Sequence, residues 1–142
     1  MTTDNDRDKD DAQRRYSIDM SWYQEQGRSF TVLASSRLCP TSRKKKTLKT
    51  DAALLTALSQ CCSKSEGFIS PNMPLMEMIF RLFLANGNEP LSLEEIQAGL
   101  QEKLRESTDP RDISIPKLRR IVDSDRYYGL RPVPPEDAGK PA

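Results

Sequence analysis

The chain has 142 residues, which is room for one domain with an attached helical segment. It is 36% hydrophobic with a mean hydropathy of −0.69, and no stretch approaches the roughly 18 apolar residues that a membrane span needs. Net charge is +1, histidine is absent, and three cysteines make no disulfide framework. These counts point to a reducing cytoplasm and remove the commonest general base and the commonest metal ligand together.

Residues 1–15 alternate acid and base with little to bury, so they are expected to be a disordered charged tail and not a secretory signal. Residues 16–72 read as a helical segment with a basic linker. In DMSWYQEQGRSFTVLASSRLCP, Asp19 or Ser21 is placed to cap a short helix carrying Trp22 and Tyr23, and Gly27 interrupts it. Phe30, Leu33, Ala34 and Leu38 then recur at helical spacing until Pro40. TSRKKKTLKT is a polar connector. TDAALLTALSQCC is a helix capped by Thr50 or Asp51, with Ala53, Leu54, Ala57, Leu58 and Cys61 as its apolar stripe. KSEGFISPNMP is a loop marked by Gly67 and two prolines.

Residues 73–133 carry the clearest pattern. PLMEMIFRLFLANGNEP starts with Pro74 in a first turn, repeats Leu75, Met78, Ile79, Leu82 and Phe83 on one face, and stops at Asn86-Gly87-Asn88. LSLEEIQAGLQEKL opens on a capping box, Ser92-x-x-Glu95, and turns Leu93, Ile96, Leu100 and Leu104 inward. After the turn ESTDPRD, Ser114 caps a third helix with Pro116 in its first turn and Leu118, Ile121 and Val122 facing the core. DRYYGLRPV is extended, with Ile113 as a candidate partner, and residues 134–142 form a second disordered tail.

The stretch IFRLFLANGNEPLSLEEIQAGLQEKL followed by ISIPKLRRIVDSDRYYGLRPV resembles a winged helix-turn-helix domain, most nearly the HARE-HTH type seen in some bacterial transcription and restriction proteins. The resemblance spans about 60 residues from Pro74 to Val133 and rests on the helix ending in glycine and on EPLSLEEI. One departure is the wing: Asp125 to Val133 holds one glycine and is long enough for little more than one strand. The expected fold class is therefore mainly α, a winged-helix domain of three helices and a short β wing behind an N-terminal helical segment. The resemblance implies that the third helix enters the DNA major groove, with Ser114, Lys117 and Arg120 facing it and Arg119 and Arg126 near phosphates. A charged outer face is also what any helix shows opposite Leu118 and Val122, and Asp123 and Asp125 offset this one.

Charge is uneven along the chain. From Tyr16 to Thr50 seven bases face two acids, and Arg43, Lys44, Lys45 and Lys46 stand in a row. That run is suited to lying along phosphates, or equally to being a solvated connector. Trp22 and Tyr23 in a polar segment suggest a partner-binding surface, or else the docking of this segment on its own domain. Cys39, Cys61 and Cys62 lack the ligand number and spacing of a structural zinc site within one chain; Cys61 is expected inside and Cys62 half-exposed. Isolated glycines exclude a phosphate loop, and Glu94 and Glu95 point apart on their helix. The expectation is a non-catalytic DNA-binding regulator or accessory factor, without cofactor, metal, membrane or small-molecule substrate. Its rival is a winged helix that binds a protein partner or a second copy.

Overall fold

The residues RYSI alternate exposed and buried, with Tyr16 and Ile18 turned inward, and this alternation builds the strand that joins the two halves of the chain. In the computed structural model, which describes residues 14–45, 47–65, 67–105 and 111–133, the elements run as follows. Strand β1 (Arg15–Ile18) leads into α1 (Met20–Glu25), α2 (Phe30–Ser35), the single turn α3 (Pro40–Arg43) and α4 (Asp51–Gln60). A 3-10 turn (Cys62–Lys64) precedes α5 (Leu75–Ala85), β2 (Leu91–Ser92), α6 (Leu93–Leu104), α7 (Ile115–Asp123) and β3 (Leu130–Pro132). The described fold is mainly α with a small antiparallel sheet in the order β2-β1-β3.

The centre of that sheet comes from the N-terminal end. Tyr16 pairs with Leu91 on one side and with Pro132 on the other. The expected pairing of Ile113 with the C-terminal segment is not what forms: the partner of β3 is β1, and Ile113 lies in no strand. Arg15 accordingly belongs to a strand and not to the charged tail; the rest of that tail from residue 1 to 13, and residues 134–142, lie outside the described residues. Residues 16–72 and 73–133 share one hydrophobic cluster that runs from Tyr16 and Phe30 through Leu54 and Leu58 to Phe80, Phe83, Leu100 and Leu118. Each fully buried leucine or phenylalanine contributes on the order of 1.5–3 kcal/mol, so this shared cluster is what binds the halves together.

Helix starts follow local chemistry. Asp19, of the two candidate caps, accepts the Ser21 N–H at 3.0 Å, and Ser29 accepts Val32 N–H at 3.2 Å, which begins α2 at Phe30; the helix ends at Ser35, before Leu38 of the apolar spacing. Thr50 caps α4 through Ala53 N–H at 3.1 Å. The capping box is reciprocal: Ser92 Oγ accepts Glu95 N–H at 3.1 Å, and Glu95 Oε1 accepts Ser92 N–H at 2.9 Å. Pro40 starts the α3 turn as well as ending the preceding segment, since a proline at the first helical position lacks only an N–H that would be unpaired anyway. α4 ends at Gln60, and at its C-cap Cys61, with φ −118° and ψ −60°, the chain rotates into the 3-10 segment. That rotation reverses the two cysteines: Cys62 is fully buried and Cys61 is partly exposed. No helix among the described residues is long and apolar enough to cross a membrane.

Candidate nucleic-acid interface

Helix α7 packs Leu118 and Val122 into the core against α6, leaving the opposite face to solvent. Ser114 and Arg120 are exposed and Lys117 is half-buried; they lie three residues apart and so share one stripe. Arg119 lies on the flank, with its Nε 3.5 Å from the Asp123 carboxylate one turn on. The hydroxyl of Ser114 does not cap the helix as the sequence suggested. Asp112 does the work one step earlier, its carboxylate accepting the Ser114 N–H at 3.0 Å. Hydrogen bonding from the Ser114 N–H and then its hydroxyl, helped by the nearby charges of Lys117 and Arg120, holds the Asp112 carboxyl below its usual range.

Of the two acids expected to offset this face, Asp125 is committed elsewhere and Asp123 is shared, one oxygen facing Arg119 and the other bonded inward. Asp125 is only 7% exposed, and its carboxylate gathers the N–H groups of Tyr127, Tyr128 and Leu130 at 2.9–3.0 Å. It thereby shapes the turn between α7 and β3. Asp123 accepts the Tyr16 hydroxyl at 2.8 Å, which ties the end of α7 to the central strand. Burial, then the Asp123 hydrogen bond, pushes the Tyr16 phenol up to about 12. Among the described residues, none of Lys117, Arg120 and Arg126 forms an ion pair. Lys117 and Ile121 also line a cleft of about 440 Å³ with Leu75, Met76 and Arg111. Arg111 holds its far wall by donating to the Met73 carbonyl at 2.6 Å.

The basic run divides. Arg43 is exposed, but its guanidinium donates to the carbonyls of Ser36 and Leu38 at 3.3 and 3.2 Å, and its backbone closes the α3 turn onto Cys39. It belongs to an ordered turn rather than to a free arm. Lys44 and Lys45 follow it, both exposed. Lys46 lies outside the described residues.

Trp22 and Tyr23 are not a surface pair. They are 6% and 3% exposed, stacked edge to face at 5.1 Å, with Phe30 against Tyr23 at 5.5 Å. The Tyr23 hydroxyl donates to the Tyr128 carbonyl, and the Trp22 ring lies between the guanidinium groups of Arg28 and Arg131. The segment docks on its own chain because Gly129 leaves it space: a Cβ there would stand 2.8 Å from Tyr23 and 2.9 Å from Trp22. The exposed aromatic is Tyr127, 47% accessible, beside Val32 at 71%. With Arg28, Ser29, Leu33 and Tyr23 these two line a shallow groove of about 300 Å³.

Two clusters were not anticipated from the sequence. Glu77 on α5 receives Arg37 at 2.6 and 2.9 Å, Arg81 at 2.7 Å and the Tyr128 hydroxyl at 2.9 Å. Burial would raise its carboxyl, but hydrogen bonds from Arg37, Arg81 and Tyr128 outweigh this and hold it at about 2. The Glu77–Arg81 spacing was a readable signal; Arg37 and Tyr128, far away in sequence, were not. The second cluster is the cysteines, with Cys39 Sγ 3.6 Å from Cys61 Sγ. Among the described residues no group of three histidine, cysteine or acidic side chains is arranged to hold a metal ion. Comparison with family models, with characterised proteins and with solved structures finds no match to this chain.

Proposed function

We propose that the chain is a non-catalytic DNA-binding protein of winged-helix type, a transcription regulator or accessory factor. Helix α7 lies in the major groove, and the 125–133 segment with β1 and β2 serves as the wing. The observation that carries this reading is the open outer face of α7, where Ser114, Lys117 and Arg120 stand in one stripe while Asp125 is bonded inward and Asp123 is shared between Tyr16 and Arg119. Lys117 and Arg120 have the donor geometry for guanine edges and phosphates. Arg126 reaches backbone oxygens just beyond the helix end, and Lys44, Lys45 and Lys46 add attraction that does not depend on sequence.

The test is fluorescence anisotropy with random and genomic duplexes over a salt series. Wild type is compared with Lys117→Ala/Arg120→Ala and with Lys44→Gln/Lys45→Gln/Lys46→Gln, keeping Arg43 because it braces the 36–43 turn. The helix variant is expected to lose preference among sequences. The lysine variant is expected to lose affinity uniformly and to flatten the salt slope by about one unit per lost phosphate contact. Absence of binding by wild type at about 50 mM salt sinks the reading, since nonspecific binding alone would register there. The second reading, a protein-interaction module, draws on the Val32–Tyr127 groove, and in that case Tyr127→Ala abolishes capture of the partner while leaving the fold intact.

A further inference from the structure

We propose that Cys39 and Cys61 form an oxidation site in which a hydroperoxide oxidises one sulfur and the other closes on it, leaving a disulfide between α3 and the end of α4. Three placements carry it. The two sulfurs are 3.6 Å apart, so reaching the roughly 2.05 Å of a disulfide takes a movement of about 1.5 Å. Cys61 is the C-cap of α4, at the joint with the 3-10 turn, and it is only partly buried where Leu58 is fully buried. Cys61 also faces a groove of about 540 Å³, lined by Lys45, Leu48, Ala53, Ala57 and Gln60, which gives a small peroxide a way in. Cys62 is set apart: it is fully buried and its Sγ accepts the Cys39 N–H at 3.1 Å.

The chemistry balances without any further reductant. The Cys61 thiol attacks the peroxide O–O bond, forming Cys61–SOH and releasing an alcohol, or water when the oxidant is hydrogen peroxide. The Cys39 thiolate then attacks the sulfenic sulfur; the S–S bond forms, the S–O bond breaks, and hydroxide leaves and takes up the proton that Cys39 had lost. Two thiols are oxidised and one peroxide is reduced. Cys39 suits the second role. The Ser42 hydroxyl at 3.5 Å and then its N–H stabilise the thiolate, with smaller help from the other two thiols, and bring Cys39 down to about 6 despite its burial. Burial pushes the Cys62 thiol up, which makes it the poorer nucleophile. A bond between Cys61 and Cys62 would have to distort the peptide that joins them.

This site is independent of DNA binding, and its test reads thiols alone. The full chain is treated with graded hydrogen peroxide, alkylated under denaturing conditions and digested with trypsin. The expected thiol count falls from three to one, and the peptides covering residues 38–43 and 50–64 appear cross-linked. Fragment ions that separate Cys61 from Cys62 assign the bridge in the wild-type chain, so the result does not depend on a variant that misfolds. Cys61→Ser abolishes the cross-link, and Cys62→Ser preserves it. The proposal is overturned by a bridge to Cys62, by a bridge inside 50–64 or between chains, or by three thiols surviving peroxide that oxidises free cysteine.

Discussion

Gly129 is the residue on which the docking of the N-terminal segment turns. Its φ of +78° is one that side chains rarely adopt, and both Trp22 and Tyr23 come within 3 Å of where a Cβ would lie. Gly129→Ala therefore meets strain and overlap together, and it is expected to cost about 2–4 kcal/mol, visible as a lower urea midpoint with an unchanged slope. A loss below about 0.5 kcal/mol would mean that the aromatic pair is not held against this glycine. The sequence left Trp22 and Tyr23 open between a partner surface and docking on their own domain, and nothing in it pointed to Gly129 as the place where they dock. Burial of an aromatic in a polar stretch depends on a glycine more than a hundred residues away, and no local pattern carries that. Asn88 teaches the same lesson. The Asn86-Gly87-Asn88 stop was readable, but Asn88 also brackets Ile18, its side chain accepting that N–H at 2.8 Å and donating to that carbonyl at 3.0 Å.

Among the elements, the helices with 3.6-residue apolar spacing were legible: α4, α5, α6 and α7 lie where the period placed them, though Cys61 caps the end of α4, Pro74 precedes the first turn of α5 and the Ser114 hydroxyl makes no cap bond to α7. Of the strands only β3 was legible, inside the extended stretch DRYYGLRPV; β1 and β2 were not. β2 has two residues and β1 four, too short for an alternating pattern to stand out, and what makes them strands is the pairing that each offers the other. This matters for the apparent boundary near residue 72. A chain starting at Asp19 would lose the central strand, the buried Tyr16 and Ile18, and the Tyr16–Asp123 bond that holds the end of α7. Both neighbouring strands would then be left as unpaired edges. Such a truncation is expected to lose cooperative thermal unfolding and to bind a hydrophobic dye at neutral pH. A sharp transition with the α7 face intact would instead show that the shared core holds the fold without β1.

Across the whole molecule, one carboxylate gathers three distant parts of the chain. Glu77 sits on α5, Arg37 follows α2, and Tyr128 lies in the turn after α7. The side chains of Glu77 and Arg37 are 13% and 11% exposed, so the pair is largely out of water and screening discounts it little. The carboxyl is held at about 2, below its ordinary 4.5. A carboxyl depressed in the folded state contributes fully above its unfolded value and loses that contribution as pH falls through the folded one. Stability should therefore decline by on the order of 2–3 kcal/mol between about pH 4.5 and 2, beyond what the other acids contribute. Glu77→Gln removes this dependence and at neutral pH leaves the Arg37 guanidinium half-satisfied in a buried place, at a cost of about 2–4 kcal/mol. Urea midpoints for wild type and variant, measured from pH 7 to 2, should converge as the medium becomes acid. Parallel curves would mean that Glu77 is already neutral in the folded chain or reached by water, and that the three parts are held together by apolar packing alone.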